Sequence, residues 1–136
     1  MIKQLAHICI FSKDLAITEK FYCRALKLKR VFNFIQNDKI IGFYLQISEK
    51  SYIEVFKNDA IDQNSVSPLQ HICFETTDMD KMIKQITVEG YEVTDKIMGA
   101  DNSWQFWATD PDGVKIEFHE YTETSCQTTK KDCVLE

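Results

Sequence analysis

Leu5-Ala6-His7-Ile8-Cys9 returns later in the chain as Leu69-Gln70-His71-Ile72-Cys73. Four of the five positions match at a spacing of 64 residues, and self-similarity at a fixed distance marks a duplicated architecture. Working outward from each copy, the same order of elements follows. Residues 3–11 read as a strand, with Ile8 and Ile10 on one face and His7 and Cys9 on the other. Asp14 is placed to cap a helix running to about Leu26, its apolar face made by Ile17, Phe21, Ala25 and Leu28. Three β-rich runs come next, Lys29–Ile35, Ile40–Ile47 and Ser51–Lys57, broken by the polar turns Gln36-Asn37-Asp38 and Ser48-Glu49-Lys50.

The second copy opens a strand over Leu69–Glu75 and a helix capped by Thr77 or Asp78, reaching about Glu89. Met79, Met82, Ile83 and Ile86 form its stripe, and Gly90 suits the left-handed stop. Strands follow at Tyr91–Met98, Ser103–Ala108 and Val114–Tyr121, the last two joined by Asp110-Pro111-Asp112-Gly113, which favours a type I turn. The expected fold is therefore α+β, two βαβββ modules related by internal duplication. The first spans about 3–57, a polar linker 58–68, and the second 69–121 of one domain. Residues 122–136 lose all periodicity and read as a polar, mobile or loosely docked tail.

Composition narrows the function classes. At 136 residues and 44% hydrophobic, the chain has material for one well-filled domain. A net charge of −5 argues against nucleic acid or an anionic membrane as partner and suits a small-molecule substrate. No run approaches the roughly 20 apolar residues needed to cross a bilayer, and the N-terminal apolar stretch is too short for a secretory signal. Five cysteines without C-x-x-C spacing form neither a disulfide framework nor a zinc ribbon, so a cytoplasmic location is expected. Four scattered glycines provide no phosphate-binding loop, and no serine-histidine-aspartate triad can be chosen without arbitrariness.

The chemistry lies in the repeat. His7 and His71 occupy matching positions of the two first strands, and Glu54 and Glu117, 63 residues apart, sit in the two last strands. A lone strand histidine is usually packed or hydrogen-bonded, and a lone glutamate between Ile53 and Val55 is often just the solvent-facing residue. Two pairs related by one duplication are more informative than either alone. If the halves pair about a pseudo-twofold axis, all four side chains converge. Two imidazoles with two carboxylates suit one divalent transition metal, Ni, Zn, Co, Mn or Fe(II), with positions left for substrate oxygens.

Other groups have plainer readings. His119 shares a strand face with Glu117, near the site or at its rim, and a surface histidine is the simpler reading. Cys9 and Cys73 share faces with the histidines, where small apolar lining is favoured over thiolate ligation. Trp104, Phe106 and Trp107 either wall a pocket or serve as core and dimer contact. Cys126 and Cys133 fall in the tail without an assignment.

These residues resemble the vicinal oxygen chelate superfamily (the glyoxalase and bleomycin resistance protein family), and most closely glyoxalase I, or lactoylglutathione lyase. The resemblance covers roughly residues 3–121. It is carried by Leu5-x-His7, Phe21-Tyr22-x-x-x-Leu26, Glu54, His71-Ile72 and Asp110-Pro111-Asp112-Gly113-x-x-Ile116-Glu117. It implies paired modules whose curved mixed sheet forms a metal-binding cup, in a homodimer, with His7, Glu54, His71 and Glu117 as ligands. It further implies conversion of a 2-oxoaldehyde thiohemiacetal to a 2-hydroxyacyl thioester by proton abstraction through a metal-bound enediolate. Glu117 would be the base, with Glu54 serving the opposite face of the substrate and a thiol as co-substrate. Asn58 matches a glutathione contact, whereas Phe11 stands where bacterial glyoxalase I carries a glutathione-binding arginine. The resemblance also extends to other enzymes of the superfamily, ring-cleaving dioxygenases and antibiotic thiol transferases, and to drug-sequestering proteins that need no catalytic metal.

Overall fold

A computed structural model describing residues 1–135 places His7–Ser12 in a first strand, β1, with His7, Cys9 and Phe11 exposed and Ile8, Ile10 and Ser12 turned inward. This is the two-residue period of a half-buried strand. Asp14 caps α1 (Leu15–Glu19): its Oδ1 accepts the N–H groups of Ala16 and Ile17 at 3.0 and 3.2 Å. The helix does not run on regularly to Leu26. Lys20–Ala25 is π-helical, and the Leu26 N–H reaches back to the Phe21 carbonyl at 3.2 Å. Phe21, Tyr22, Ala25 and Leu26 are all buried in this widened segment.

Ile17, expected on the apolar face, is instead 52% exposed, and Thr18 points inward. The reason is a buried polar cluster. The Thr18 hydroxyl lies 2.7 Å from that of Ser12 and donates to Asp112 Oδ2 at 3.0 Å, while Asp112 Oδ1 accepts the Lys13 N–H at 2.9 Å. The three strands that follow are β2 (Lys29–Gln36), β3 (Lys39–Ser48) and β4 (Ser51–Lys57). With β1 they form a four-stranded sheet ordered β1-β4-β3-β2, parallel between β1 and β4 and antiparallel elsewhere. Ile10, Phe43, Leu45, Ile53 and Val55 are buried on its inner face. These elements, residues 1–66 together with Pro111–Gly113, make one compact unit.

Residues 67–110 and 114–135 belong to the other unit. It repeats the pattern with β5 (Ile72–Glu75), α2 (Met79–Val88), β6 (Ile97–Met98), β7 (Trp104–Thr109) and β8 (Lys115–Glu120), in the sheet order β5-β8-β7-β6. Again the first strand runs parallel to the last. Both units are thus βαβββ modules, the α+β duplication that the repeat implied. Asp78 caps α2 through the Lys81 N–H at 3.0 Å, and Met79 and Ile86 on its stripe are buried. At its other end the N–H groups of Gly90 and Tyr91 reach the Thr87 and Ile86 carbonyls, and Gly90 adopts φ +88°. That is a Schellman stop, which requires the left-handed glycine.

The strand expected over Tyr91–Met98 is largely irregular. Only Ile97–Met98 pairs as a strand, with one bridge between Val93 and Ala108. Thr94 explains this locally: its side-chain hydroxyl takes the Trp107 N–H at 2.9 Å, a place a backbone carbonyl would fill in a regular ladder. Strand β5 also starts later than expected, at Ile72, since Leu69, Gln70 and His71 lie outside it and Leu69 is 60% exposed.

Residues 122–130 are held more firmly than a loose tail. Cys126–Thr129 forms a short helical turn, α3. Ser125 is fully buried and hydrogen-bonds Ser103 at 3.0 Å, and the Cys126 N–H donates to the Asp101 carbonyl at 2.8 Å. Serine and threonine hydroxyls tie this segment to the β6–β7 loop, an attachment that hydrophobic periodicity cannot register. Among the described residues, no helix is long and apolar enough to cross a membrane.

Candidate metal centre

Strand parity brings the candidate ligands together pairwise. In the first unit Cys9 lies opposite Glu54 in the β1–β4 register, so His7, Cys9 and Glu54 share the open face of the sheet. His7 Nε2 stands 3.7 Å from Glu54 Oε2, and the imidazole meets the Tyr44 ring edge-on at 5.8 Å. In the second unit Cys73 lies opposite Glu117 in the same way. His71 Nε2 stands 3.3 Å from Glu117 Oε2, and its ring meets Trp107 edge-on at 4.9 Å. Each half therefore presents one imidazole nitrogen toward one carboxylate, beside an aromatic ring from the third strand.

The donor chemistry fits a divalent ion. Neighbouring ligand atoms about 2.1 Å from a metal lie roughly 3 Å apart around an octahedron, and the two His–Glu separations are only slightly wider. The pairs also differ in depth. The Glu54 side chain is 21% exposed and that of Glu117 11%, so Glu117 is the more sheltered carboxylate.

Glu117 is also the more crowded. His119 Nε2 approaches its other oxygen, Oε1, at 2.9 Å, and the His119 Nδ1 side faces Asp101 Oδ2 at 3.8 Å. His119 is not the surface histidine that the sequence suggested: it is only 8% exposed. Cys73 lies beside the same carboxylate. Desolvation, then the Glu117 charge and a hydrogen bond to it, push the Cys73 thiol up to about 12. Cys9 is raised by the same causes, desolvation first and then Glu54. Asp101 goes the other way. Burial opposes its charge, but hydrogen bonds from Gln127 (2.6 Å) and Ser103 (3.1 Å), with His119 nearby, outweigh this and hold it below the ordinary aspartate range.

The residues matched to thiol contacts fall on or next to the same face of the first unit. Phe11 is 52% exposed and lies opposite Phe56 in register. Asn58 follows β4, and its Oδ1 accepts the Ala60 N–H at 2.8 Å. Of the tryptophan-rich run, Phe106 is core, Trp107 flanks His71, and Trp104 stands 36% exposed with Lys96 over its ring.

The open face of the first sheet holds a set of aromatics that the sequence reading passed over. Phe32 stacks on Tyr44 (4.6 Å), Tyr44 on Tyr52 (5.0 Å), and Phe34 on Phe56 (4.5 Å). Gly42 makes room for them: a Cβ there would collide with the Val55 carbonyl oxygen and come within 2.9 Å of Phe56. The signal was available as parity, since Tyr44, Tyr52 and Phe56 keep the two-residue phase of Glu54. The matching face of the second sheet is polar, with Gln105, His119 and Glu75 where the first has Gly42, Phe56 and Phe11. Arg30, one of two arginines, is engaged elsewhere, with Glu19 at 2.7 Å and its guanidinium over the Phe43 ring.

Each of the duplicated βαβββ modules sets a histidine beside a glutamate of its last strand. Residues 4–118 match the family model described as the Glyoxalase/Bleomycin resistance protein/Dioxygenase superfamily, and the chain belongs to that superfamily. Solved structures similar to it include a glyoxalase family protein from Enterococcus faecalis, at 22% identity over 87% of this chain and 98% of that one, with a TM-score of 0.75. A lactoylglutathione lyase from Agrobacterium tumefaciens is similar at 16% identity, covering 88% and 94%, with a TM-score of 0.66. An antibiotic binding protein from a Streptomyces species is similar at 14% identity, covering 89% and 98%, with a TM-score of 0.71. At these identities the likeness is one of fold. A comparison with curated proteins finds no match.

Proposed function

We propose that His7, Glu54, His71 and Glu117 hold one divalent transition metal in a single small-molecule site, and that the protein is a lyase or isomerase of the glyoxalase I type. On this reading the protein acts as a cytoplasmic homodimer. The observation that carries the proposal is the repeated pairing: in both halves an imidazole Nε2 faces a carboxylate oxygen, at 3.7 and 3.3 Å. A bound ion would supply Lewis acidity, polarising a substrate carbonyl and stabilising charge that develops on its oxygen.

The remaining work falls to the chain. Glu117, the more sheltered carboxylate, takes the proton from the carbon beside the carbonyl, and Glu54 faces the substrate from the other half. Removing that proton and returning one to the neighbouring carbon turns a 2-oxoaldehyde thiohemiacetal into a 2-hydroxyacyl thioester. Asn58 contributes its amide to a thiol co-substrate. Phe11 and Phe56 favour an apolar group where an arginine would hold a carboxylate, so the co-substrate is expected to be less anionic than glutathione. The test is thioester formation from methylglyoxal with glutathione and with thiols carrying fewer carboxylates, each with Ni and with Zn. Product with at least one thiol, lost in Glu117→Gln, is expected; no product with any combination refutes the lyase reading.

A second reading has its own observation. The stacked aromatics around Tyr44 offer a flat apolar surface of the kind that holds a planar ligand without any reaction. A drug-sequestering protein would need that surface and not the ion. Ligand binding that survives His7→Ala but not Tyr44→Ala would favour it.

A further inference from the structure

The two halves differ at one position that changes what they can bind. In the first half, the residue two after the strand glutamate is Phe56; in the second it is His119. Both halves carry a cysteine opposite the glutamate, Cys9 and Cys73, but only the second half has a donor side chain two residues after that glutamate. Cys73 Sγ, a Glu117 oxygen and a His119 ring nitrogen all lie within 4.8 Å of one another. His119 Nε2 is buried and makes no hydrogen bond, although Glu117 Oε1 stands 2.9 Å away as an ion-pair partner. An imidazole nitrogen kept from water without a hydrogen bond is costly, and a cation is what a carboxylate and a thiol beside it would share with it. Asp101 faces the other ring nitrogen, on the side where a carboxylate orients a metal-bound imidazole.

We propose that Cys73, Glu117 and His119 form a seat for a thiophilic divalent ion such as Zn(II), built wholly within the second half. The donor set is one thiolate, one imidazole and one carboxylate, with a fourth tetrahedral position left to water or a ligand. It shares Glu117 with the proposed four-residue centre but takes nothing from the first half. Soft ions would then be drawn to sulfur, and harder ions such as Mn(II) would not.

Co(II) is the probe, since a thiolate ligand gives it an intense near-ultraviolet charge-transfer band that imidazole and carboxylate cannot produce. The expected result is such a band on adding Co(II) to the purified protein. It should be lost in Cys73→Ser and in Cys73→Ala, weakened at least about tenfold in apparent affinity in His119→Gln, and kept in His7→Ala. Circular dichroism checks that each variant is folded, and the paired cysteine variants guard against one failing. Co(II) binding without the band, or a band that survives both Cys73 variants, overturns the seat while leaving the four-residue centre intact. A band lost in His7→Ala overturns the independence of the second half.

Discussion

Replacing Asp112 by alanine should weaken the fold by about 3 kcal/mol, because hydrogen bonds to a charged acceptor are worth roughly 1.5–3 kcal/mol each. Asp112 is only 8% exposed, and it accepts from the Lys13 N–H at 2.9 Å and the Thr18 hydroxyl at 3.0 Å. The Thr18 hydroxyl keeps Ser12 as a partner at 2.7 Å, so its share falls at the low end, and the Lys13 N–H supplies the rest. Urea unfolding followed by far-ultraviolet circular dichroism reads the effect. With a slope of about 2 kcal/mol per molar, the midpoint should fall by roughly 1.5 M. Asp112→Asn, which keeps an acceptor but loses the charge, should fall by about half as much. A midpoint change under about 0.3 M for Asp112→Ala would refute the reasoning: the Asp-Pro-Asp-Gly segment would then be a turn and nothing more.

Gly42→Ala should cost about 1–3 kcal/mol by overpacking, since the added methyl meets the Val55 carbonyl and the Phe56 ring; differential scanning calorimetry would reveal an unchanged melting temperature if this is wrong. Cys73, with its thiol raised to about 12, stays protonated until pH climbs toward that value. At pH 8 the metal-free protein should hold about one part in ten thousand as thiolate, against roughly a quarter for an ordinary cysteine. Residue-resolved iodoacetamide labelling should therefore be slow and accelerate with pH; a rate within about tenfold of free cysteine at pH 8 would contradict it. Asp101 is held below the ordinary aspartate range, so its contribution is present above the unfolded value and lost as pH falls through the lower folded one. Hydrogen-exchange protection factors at Cys126–Lys130 should fall on acidification below about pH 4, and Asp101→Asn should lower them at neutral pH; equal protection in both conditions would dismiss this anchor.

The duplication was legible because it is written in repeated letters and in the parity of strands. His7, Cys9 and Glu54 fall on one sheet face by two-residue alternation, as do Cys73 and Glu117, whereas His71 stands just before β5 and outside its register. Both helix caps, Asp14 and Asp78, could be read from residue type and position. What escaped the reading depends on contacts between distant residues. The inward turn of Thr18 is set by Asp112, 94 residues away, and the anchoring of Ser125 by Ser103, 22 residues away. Hydroxyls that bond across such distances leave no periodic trace. His119 looked like a surface residue because strand alternation does not register the Asp101 carboxylate and the Tyr121 ring that stand beside it. The aromatic face around Tyr44 was readable in principle, but only after the register of β2, β3 and β4 aligned its members.

The central claim is that one ion joins both halves. Isothermal titration of Ni(II) into Cys73→Ser protein, which removes the thiolate from competition, tests it most directly. One ion per chain is predicted, with affinity reduced by well over about tenfold in both His7→Ala and His71→Ala made in that background. Binding that persists unchanged when either histidine is removed, or separate ions held by each half, would contradict it.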